Sequence, residues 1–386
     1  MVMKMKNNTS NTIRVLHYIG SLNTGGSQTM IMEIYRKIDK SLVQFDFVVD
    51  RKEELLYSDE IKKLGGKVYI FDEYYKGINH HKYIKQWKDF FKQHKEYKII
   101  HCHVRSVGKI VLKTAKMNGL ETIIHSHSTS NGKGIKAIAK SFFQFNICKY
   151  SDYFFACSRQ SAEWLYGKKK SQSNKCYIIN NSIDSSKYKY NPIIRKKLRN
   201  ELKVENKIVI GQVGRLVYIK NHDFSLKVLM ECLKINPNFC LMIVGDGELK
   251  SNLLEKINNM GLEKNVLMLG NKTNVNELMQ AMDIFIMPSL FEGLPLSLIE
   301  AQAASLPCVI SNNVIDGILI PDLVKKIELE KSEKKWADLI NKEYSKKRKN
   351  TSEVIKKNNF DSEINSKWLC NFYQEIYKEV DNNVLN

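Results

Sequence analysis

The feature that most constrains the fold is an alternation of short apolar runs with segments of helical periodicity, which occurs twice along the chain. In the first half, the apolar runs Ile13–Ile19, Phe45–Val49 and Tyr153–Ala156 are typical of buried strands. The alternation stops in the polar, basic stretch Ser182–Asn206 and restarts at Ile208–Val213. Strands that alternate with helices form parallel sheets covered by helices on both faces. The sequence therefore predicts an α/β protein with two doubly wound domains.

The domain boundary is expected near residue 190, inside the polar stretch. Residues 1–190 then form one Rossmann-like domain and residues 191–360 form a second, while the helical pattern in 361–386 is expected to cross back onto the first domain. Doubly wound sheets bind ligands at the carboxyl ends of their strands. Two such domains facing each other across a cleft would suit a reaction of two substrates, one held by each domain.

Charge and cysteine content narrow the expected partners. The chain has 61 Lys and Arg against 41 Asp and Glu, a formal net charge of +20. This excess favours an anionic partner such as a phosphorylated substrate or an acidic membrane face, although a Lys-rich genome would also produce it. No nucleic-acid-binding motif is present, so nucleic acid is not expected. The eight Cys lack C-x-x-C spacing and fit free thiols in a reducing cytoplasm.

The N-terminal segment and the apolar runs bear on membrane contact. Met1 to Thr12 is polar and does not resemble a secretory signal. No run reaches the roughly 20 apolar residues that span a bilayer. We therefore expect a cytoplasmic protein whose membrane contact, if any, is peripheral.

The strongest candidate site follows the apolar run Ile284–Met287. Pro295 suits the first turn of a helix, where free N–H groups attract a phosphate. The carboxylates of Glu292 and Glu300 flank that turn and can accept hydrogen bonds from sugar hydroxyls. An ordinary capped helix with two surface glutamates would show the same pattern. The backbone groups expected to approach the ligand are those of Gly293, Leu294, Pro295 and Leu296.

A second candidate follows the run Ile208–Val213. The segment from Gly214 to Asn221 places Arg215 and Lys220 on a strand-end loop. Two fixed cations there could hold a diphosphate and stabilise the charge that it gains on leaving. A solvated basic loop is the alternative. Both candidates lie on strand-end loops of one domain. Their occurrence together favours the functional interpretation of each over the solvated-surface alternative.

The first domain offers weaker signals. Gly25 and Gly26 form a tight turn after the first run, but the segment is neither G-x-G-x-x-G nor a P-loop. Asp50 ends the second run, where dinucleotide enzymes keep a ribose-binding acid, and this leaves a dehydrogenase as a weak alternative.

Histidines and lysines of the first domain raise two further possibilities. The pairs His101, His103 and His125, His127 each have i, i+2 spacing at a strand end. A metal is not predicted, since no acidic or Cys partner has matching spacing; we expect one of these histidines to contact substrate and the others to pack. The basic, aromatic segment Gly132–Tyr150 fits either a helix on an anionic bilayer or a core-facing helix with a solvated lysine face.

The quoted motifs together resemble glycosyltransferase family 4, whose members have the GT-B fold. The resemblance covers nearly the whole chain through VLHYIGSLNTGGSQTMIMEIYR, HSHSTSNGKG, GRLVYIKN, IVGDGELK and SLFEGLPLSLIEAQAASLPCVIS. It is strongest to the branch that builds bacterial exopolysaccharide and capsule repeat units. After Ser311 the sequence departs from the family pattern, which leaves the nucleotide preference open.

The resemblance implies a role for each matching position. Glu292 would contact the donor sugar, Glu300 the ribose, and Arg215 with Lys220 the diphosphate. His127, with His125 as the alternative, would lie near the transferred sugar. The backbone groups implied for the donor are those of Gly25, Gly26, Gly214, Gly270 and Asn271. Such enzymes retain the anomeric configuration, use a UDP- or GDP-linked donor and need no metal or other cofactor.

The expected function is therefore transfer of a sugar from a nucleotide-sugar donor to a glycan acceptor, carried on a polyprenyl diphosphate. Two alternatives stay open. One is a nucleotide-sugar 2-epimerase of the same fold, and the other is a non-catalytic member that only binds a nucleotide.

Overall fold

A computed structural model describes residues 12–23, 25–52, 55–75, 78–128, 144, 146–292, 295–314 and 320–385. The chain divides into two compact units. The first comprises Met1–Ser182 together with Ser362–Asn386, and the second comprises Ile183–Asp361. The change of unit thus falls shortly before the position expected from sequence, and the last segment of the chain belongs to the first unit.

The sheet of the first unit has seven parallel strands in the order β3-β2-β1-β4-β5-β6-β7. Its strands are β1 Ile13–Gly20, β2 Val43–Val49, β3 Val68–Ile70, β4 Ile99–Cys102, β5 Glu121–Ser126, β6 Tyr153–Ala156 and β7 Cys176–Ile178. The helices between them are α1 Gly26–Lys37, α2 Ser58–Lys63, α3 His80–Gln93, α4 Gly108–Met117 and α5 Arg159–Ser171. Successive side chains of a strand point to opposite faces, so Val15 and Leu16 belong to separate apolar cores on the two sides of the sheet.

The second unit repeats the plan with six parallel strands in the order β10-β9-β8-β11-β12-β13. Its strands are β8 Ile208–Val213, β9 Phe239–Val244, β10 Val266–Met268, β11 Ile284–Met287, β12 Cys308–Ser311 and β13 Val324–Ile327. Its helices are α6 Ser185–Tyr188, α7 Pro192–Glu201, α8 His222–Ile235, α9 Lys250–Asn259, α10 Val275–Ala281, α11 Leu296–Ala303, α12 Glu333–Glu343 and α13 Ser352–Lys357. In both sheets the order reverses beside the first strand, which is where doubly wound folds bind ligands.

The polar, basic stretch Ser182–Asn206, for which no helix was predicted, is mostly helical. The side chain of Asn191 accepts hydrogen bonds from the N–H groups of Ile193 and Ile194 and so caps α7. The guanidinium of Arg199 is buried and donates to the carboxylate of Asp283 at 2.9 Å. A charged residue on the inner face of the helix hides the apolar period on which sequence reasoning relies.

The edge strand β13 was also missed by sequence reasoning. Its four residues, Val324–Ile327, include two lysines and pair with β12 on one side only. Lysines are common on edge strands because they discourage pairing with a further chain. The same lysines remove the apolar run that identified the inner strands.

The final helix, α14 (Ser362–Leu385), packs onto the sheet of the first unit. Tyr373 is fully buried in the core that contains Val15, and the ring of Phe372 packs edge-on against Tyr153 and at a tilt against Phe155. Among the described residues, α14 included, no helix is both long and apolar enough to cross a bilayer. All eight Cys are free thiols, as the spacing predicted.

Candidate functional site

Three glycine loops meet at the carboxyl ends of β8, β9 and β10. The N–H of Gly214 donates to the carbonyl of Val244 at 3.0 Å, and the N–H of Gly245 donates to that of Gly270 at 2.9 Å. Gly245 has φ +144°, and a Cβ there would lie 2.0 Å from the carbonyl oxygen of Gly214. Only glycine fits between these backbones, so Gly245 fixes the loop that carries the candidate cations. Sequence reasoning quoted this glycine but gave it no role.

The two motifs predicted in the second unit are in direct contact. The Nζ atom of Lys220 lies 2.5 Å from Oε1 of Glu292, and each side chain is 16% exposed. Their backbones are also joined, because Leu290 donates from its N–H to the carbonyl of Ile219 at 2.9 Å. The predicted diphosphate ligand and the predicted sugar ligand are therefore neighbours, and they neutralise each other's charge.

Asn221 holds this arrangement from the other side of the loop. It adopts a left-handed backbone with φ 54°, which asparagine tolerates better than most residues. Its side-chain amide donates to the carbonyl of Pro288 at 3.0 Å. The residue thereby connects the start of α8 to the end of β11, and no signal in the sequence singled it out.

The remaining predicted residues of the second unit differ in their surroundings. Arg215 is exposed, and the described residues offer its guanidinium no ion-pair partner. Asn271 is exposed and Gly270, at φ 68°, has open space where a Cβ would lie. Gly293 and Leu294 lie outside the described residues. The free charge of Arg215 is thus available to an anion beside the paired Lys220.

Glu300 lies one turn inside α11 and is held by a tyrosine. The hydroxyl of Tyr188 donates to its Oε1 at 2.8 Å. Pro295 precedes the helix as its N-cap residue, one position before the expected place in the first turn, and Leu296 is the first helical residue. The described part of this helix start has no acidic residue and no capping side chain, so its N–H groups remain suited to an anion.

In the first unit, the glycine turn and Asp50 lie at the carboxyl edge of the sheet. Gly25 is the N-cap residue of α1, and a Cβ on Gly26 would meet no atom within 4 Å, so a ligand can approach its backbone. The carboxylate of Asp50 accepts a hydrogen bond of 2.6 Å from Tyr18. Burial raises the pKa of this carboxyl. One carboxylate oxygen of Asp50 is therefore engaged with a core tyrosine.

Five histidines that lie in or directly after three neighbouring strands converge in the first unit, and together they form what we call the histidine cluster. Because β1 lies beside β4 and β4 beside β5, the sheet brings together residues that are far apart in sequence. The ring nitrogens are joined at 3.1 Å for His17 with His103, 2.8 Å for His103 with His127 and 3.1 Å for His101 with His125. The cluster consists of His17, His101, His103, His125 and His127.

Burial keeps the histidine cluster neutral. Loss of water lowers the pKa of His17 and of His127 to about 3, and it lowers the pKa of the other three well below 6.5, with neighbouring imidazoles adding to the effect. His127 is the least buried of the five. The predicted basic segment Gly132–Tyr150 falls mainly on residues 129–143 and 145, outside those described.

A buried histidine beside the candidate cations yields a pH prediction. Burial lowers the pKa of His222 to about 4 from 6.5, with the charge of Lys220 contributing. The unfolded chain therefore takes up this proton first as the pH falls, and the native state loses stability between pH 6.5 and 4. We expect His222→Phe to flatten the pH dependence of the unfolding free energy there, by up to about 1.4 kcal/mol per pH unit.

Denaturant titrations of both proteins at several pH values across this window measure the difference. The variant and the wild type are compared at each pH, so that titration of the other groups cancels. Parallel pH curves for the two proteins would show that folding does not lower the pKa of His222.

Solved structures with the same architecture identify the fold class. HepE of Anabaena, in complex with UDP and glucose, superimposes with a TM-score of 0.69 at 16% identity, over 96% of this chain and 100% of that one. Sucrose-phosphate synthase of Thermosynechococcus elongatus gives a TM-score of 0.72 at 14% identity, over 95% and 99%. Two doubly wound units with these strand orders define the GT-B fold.

Sequence comparisons identify the family within that class. The family described as Glycosyltransferase Family 4 matches residues 24–187, and Glycosyl transferases group 1 matches residues 194–360. EpsF of Bacillus subtilis (strain 168) is 30% identical over 379 residues, which cover 96% of this chain and 98% of EpsF. The chain therefore belongs to glycosyltransferase family 4, in its exopolysaccharide and capsule branch.

Two further relatives carry more specific names. The capsular polysaccharide biosynthesis glycosyltransferase CapH of Staphylococcus aureus is 27% identical over 87% of this chain and 92% of its own. The UDP-Gal:alpha-D-GlcNAc-diphosphoundecaprenol alpha-1,3-galactosyltransferase of Escherichia coli is 28% identical over 58% of this chain and 62% of its own. The chain is thus a glycosyltransferase of polysaccharide biosynthesis, and the dehydrogenase alternative is wrong.

Proposed function

We propose that this glycosyltransferase moves a sugar from a UDP- or GDP-linked donor to a polyprenyl-diphosphate-linked glycan, with retention of the anomeric configuration. The observation that carries the proposal is the contact of Lys220 with Glu292 beside the exposed Arg215. In a nucleotide sugar, the diphosphate would bind the two cations, and the sugar hydroxyls would donate hydrogen bonds to the carboxylate of Glu292. The names of the E. coli relative and of HepE, which mention UDP-galactose, UDP and glucose, support the donor class.

The catalytic device in this proposal is stabilisation of the leaving diphosphate. Charge grows on its oxygens as the glycosidic bond breaks, and fixed cations stabilise that charge more in the transition state than in the ground state. Lys220 would exchange its contact with Glu292 for the phosphate, and Glu292 would then accept hydrogen bonds from the sugar. The departing phosphate oxygen would take the proton of the acceptor hydroxyl, so that no metal is required.

Cavities of the first unit suit the acceptor. One of 220 Å³ at the carboxyl edge of the sheet is lined by Gly20, Gln28, Asp50 and Glu73 among others, whose polar groups can bind sugar hydroxyls. Another of 520 Å³ lies between α3 and α4 and has Lys88, Lys109 and Lys113 beside apolar side chains. Cations next to an apolar surface suit a lipid diphosphate at an anionic membrane, where the enzyme would act as a peripheral protein.

The test is a screen of UDP- and GDP-linked sugars for slow hydrolysis, followed by transfer to a synthetic polyprenyl-diphosphate glycan. One donor should be hydrolysed above background, and the linkage of its product should retain the donor's anomeric configuration. Inversion at the anomeric carbon would contradict the mechanism. Free UDP with an epimerised sugar and no need for an acceptor would establish the epimerase alternative, and absence of turnover with every donor would favour the non-catalytic one.

Glu300 gives a prediction that is specific to nucleotide binding. If the carboxylate of Glu300 accepts hydrogen bonds from the ribose hydroxyls, Glu300→Ala removes them. We then expect UDP or GDP to bind about 10- to 100-fold more weakly. Tyr188→Phe should have a smaller effect in the same direction, because the tyrosine only orients this carboxylate. Isothermal titration with the nucleotide measures both. Glu255→Ala, on the exposed face of α9, is the control, and equal affinities for Glu300→Ala and this control would remove Glu300 from the site.

A further inference from the structure

We infer that the histidine cluster of the first unit is a site for one divalent transition-metal ion, with His103, His125 and His127 as its ligands. One ring nitrogen of each of these three residues lies within 4.8 Å of those of the other two. Neutral imidazoles are the ligands that Zn²⁺ and its neighbours prefer when thiolates are absent. The triad includes His127, the residue expected near the transferred sugar, and the transfer proposed above does not require the ion.

Hydrogen bonding alone does not satisfy the cluster. Seven of its ten ring nitrogens have a partner, including Nδ1 of His101, which lies 2.6 Å from the hydroxyl of Tyr373. The other three are buried without a partner among the described residues: Nε2 of His17, Nε2 of His125 and Nδ1 of His127. Unpaired buried polar atoms are rare in native proteins, and each needs a physical reason. Coordination supplies one for His125, whose free nitrogen becomes a ligand.

The remaining contacts form the outer layer that histidine ligands usually require. A ligand imidazole donates its second N–H to another group, which fixes its orientation. His103 would coordinate through Nδ1 and donate from Nε2 to Nδ1 of His17 at 3.1 Å. His125 would coordinate through Nε2 and donate from Nδ1 to Nε2 of His101, which in turn donates to Tyr373.

The spacing needs only a small adjustment. Nδ1 of His103 and Nε2 of His127 are 2.8 Å apart. Two nitrogens bound tetrahedrally to Zn²⁺ at about 2.0–2.1 Å lie about 3.3 Å from each other. A side-chain shift of roughly half an ångström therefore turns the hydrogen-bonded pair into two ligands. Three imidazoles leave a fourth position, which a water or a substrate hydroxyl can take.

Burial distinguishes this triad from the other possible one. His17, His101 and His103 also bring three ring nitrogens within 4.8 Å, but all three are buried. His17 packs against the ring of Phe45 at 4.2 Å between centroids, so an ion there would have no exchangeable position. His127 is partly exposed and gives an ion a route to its site.

The experiment uses the full chain with a purification tag that contains no histidine. After incubation with Zn²⁺ and dialysis against metal-free buffer, elemental analysis should find one equivalent of zinc. Protein loaded with Co²⁺ should show the visible absorption of a four-coordinate ion bound by nitrogen. Zinc should also raise the apparent melting temperature, because only the folded chain brings the three ligands together.

Variants locate the site. His103→Ala and His125→Ala should lose the bound zinc and the cobalt spectrum. His17→Phe, which removes an outer-layer contact, should weaken binding by about 10- to 100-fold. His94→Ala is the matched control, since His94 is a histidine of the same unit outside the cluster, next to Glu96. Wild-type chain that retains no zinc and gives no cobalt spectrum would overturn the inference, as would unchanged binding in both alanine variants.

Discussion

Replacing Lys220 with methionine is expected to lower kcat/KM for sugar transfer by about 100- to 1,000-fold, the usual effect of losing one group that stabilises transition-state charge. Methionine keeps the apolar stem of the side chain and removes only the cation. The rate of nucleotide release at a fixed acceptor concentration measures the loss. Lys234→Met is the matched control, because Lys234 is exposed on α8 of the same unit and pairs with a neighbour on that helix. An active Lys220→Met enzyme would remove Lys220 from the catalytic group.

The ion pair provides a second measurement that separates catalysis from folding. Without Lys220, the mostly buried carboxylate of Glu292 loses its partner, at a cost of about 1–3 kcal/mol. Glu292→Gln in the same chain should recover most of that stability, because the amide carries no charge. It should not recover activity if both side chains bind the donor. Recovery of both would show that the pair serves only the fold.

Gly245→Ala is expected to destabilise the second unit by at least about 3 kcal/mol, the upper range for a single substitution. The new Cβ would lie 2.0 Å from the carbonyl oxygen of Gly214, at a backbone φ of +144°. The atom that the Cβ would meet belongs to the backbone of Gly214, whose N–H donates to the carbonyl of Val244. No flexible side chain can therefore move to make room. Calorimetry should show a lower melting temperature for the transition of the second unit. Nucleotide affinity should fall with it, because the same loop carries Arg215 and Lys220.

Gly261→Ala is the matched control for this substitution. Gly261 also has a positive φ, +66°, but a Cβ there would meet no atom within 4 Å. We expect only the cost of the left-handed backbone, about 1–2 kcal/mol, and no change in nucleotide affinity. If the two alanine variants were equally stable, the close approach of the loops at Gly245 would not hold in solution.

Much of the fold was predictable because apolar runs and their spacing report burial directly. The inner strands β8 and β11, for example, have the predicted bounds. The missed elements, α7 and β13, share a physical reason. Arg199 is buried by pairing with Asp283, and β13 lies at an edge where lysines reach solvent. A polar or charged residue interrupts the apolar pattern of its helix or strand even where the folded chain pairs it or leaves it in solvent. Hydrophobic periodicity therefore does not reveal such elements.

The candidate site was predictable in its parts and not in its contacts. The strand-end positions of Arg215, Lys220 and Glu292 follow from the alternation of strands and helices, but their roles stay predictions. The ion pair itself depends on β8 and β11 being neighbours, and the bond from Tyr188 to Glu300 has no local signal. The sequence singled out four histidines as two pairs with i, i+2 spacing, of which one was expected to contact substrate and the others to pack. Only the strand order, which places β1 beside β4, brings His17 to them.

The place of α14 in the first unit bears on the order in which the chain can fold as it is synthesised. The second unit, Ile183–Asp361, is contiguous, so its core can close as soon as it has left the ribosome. The first unit begins earlier and finishes later, because Tyr373 completes its core and contacts His101. Until Ser362–Leu385 has been made, apolar side chains of the first sheet stay exposed to solvent or chaperones. A chain terminated and released near residue 361 would therefore contain a complete second unit attached to an incomplete first unit.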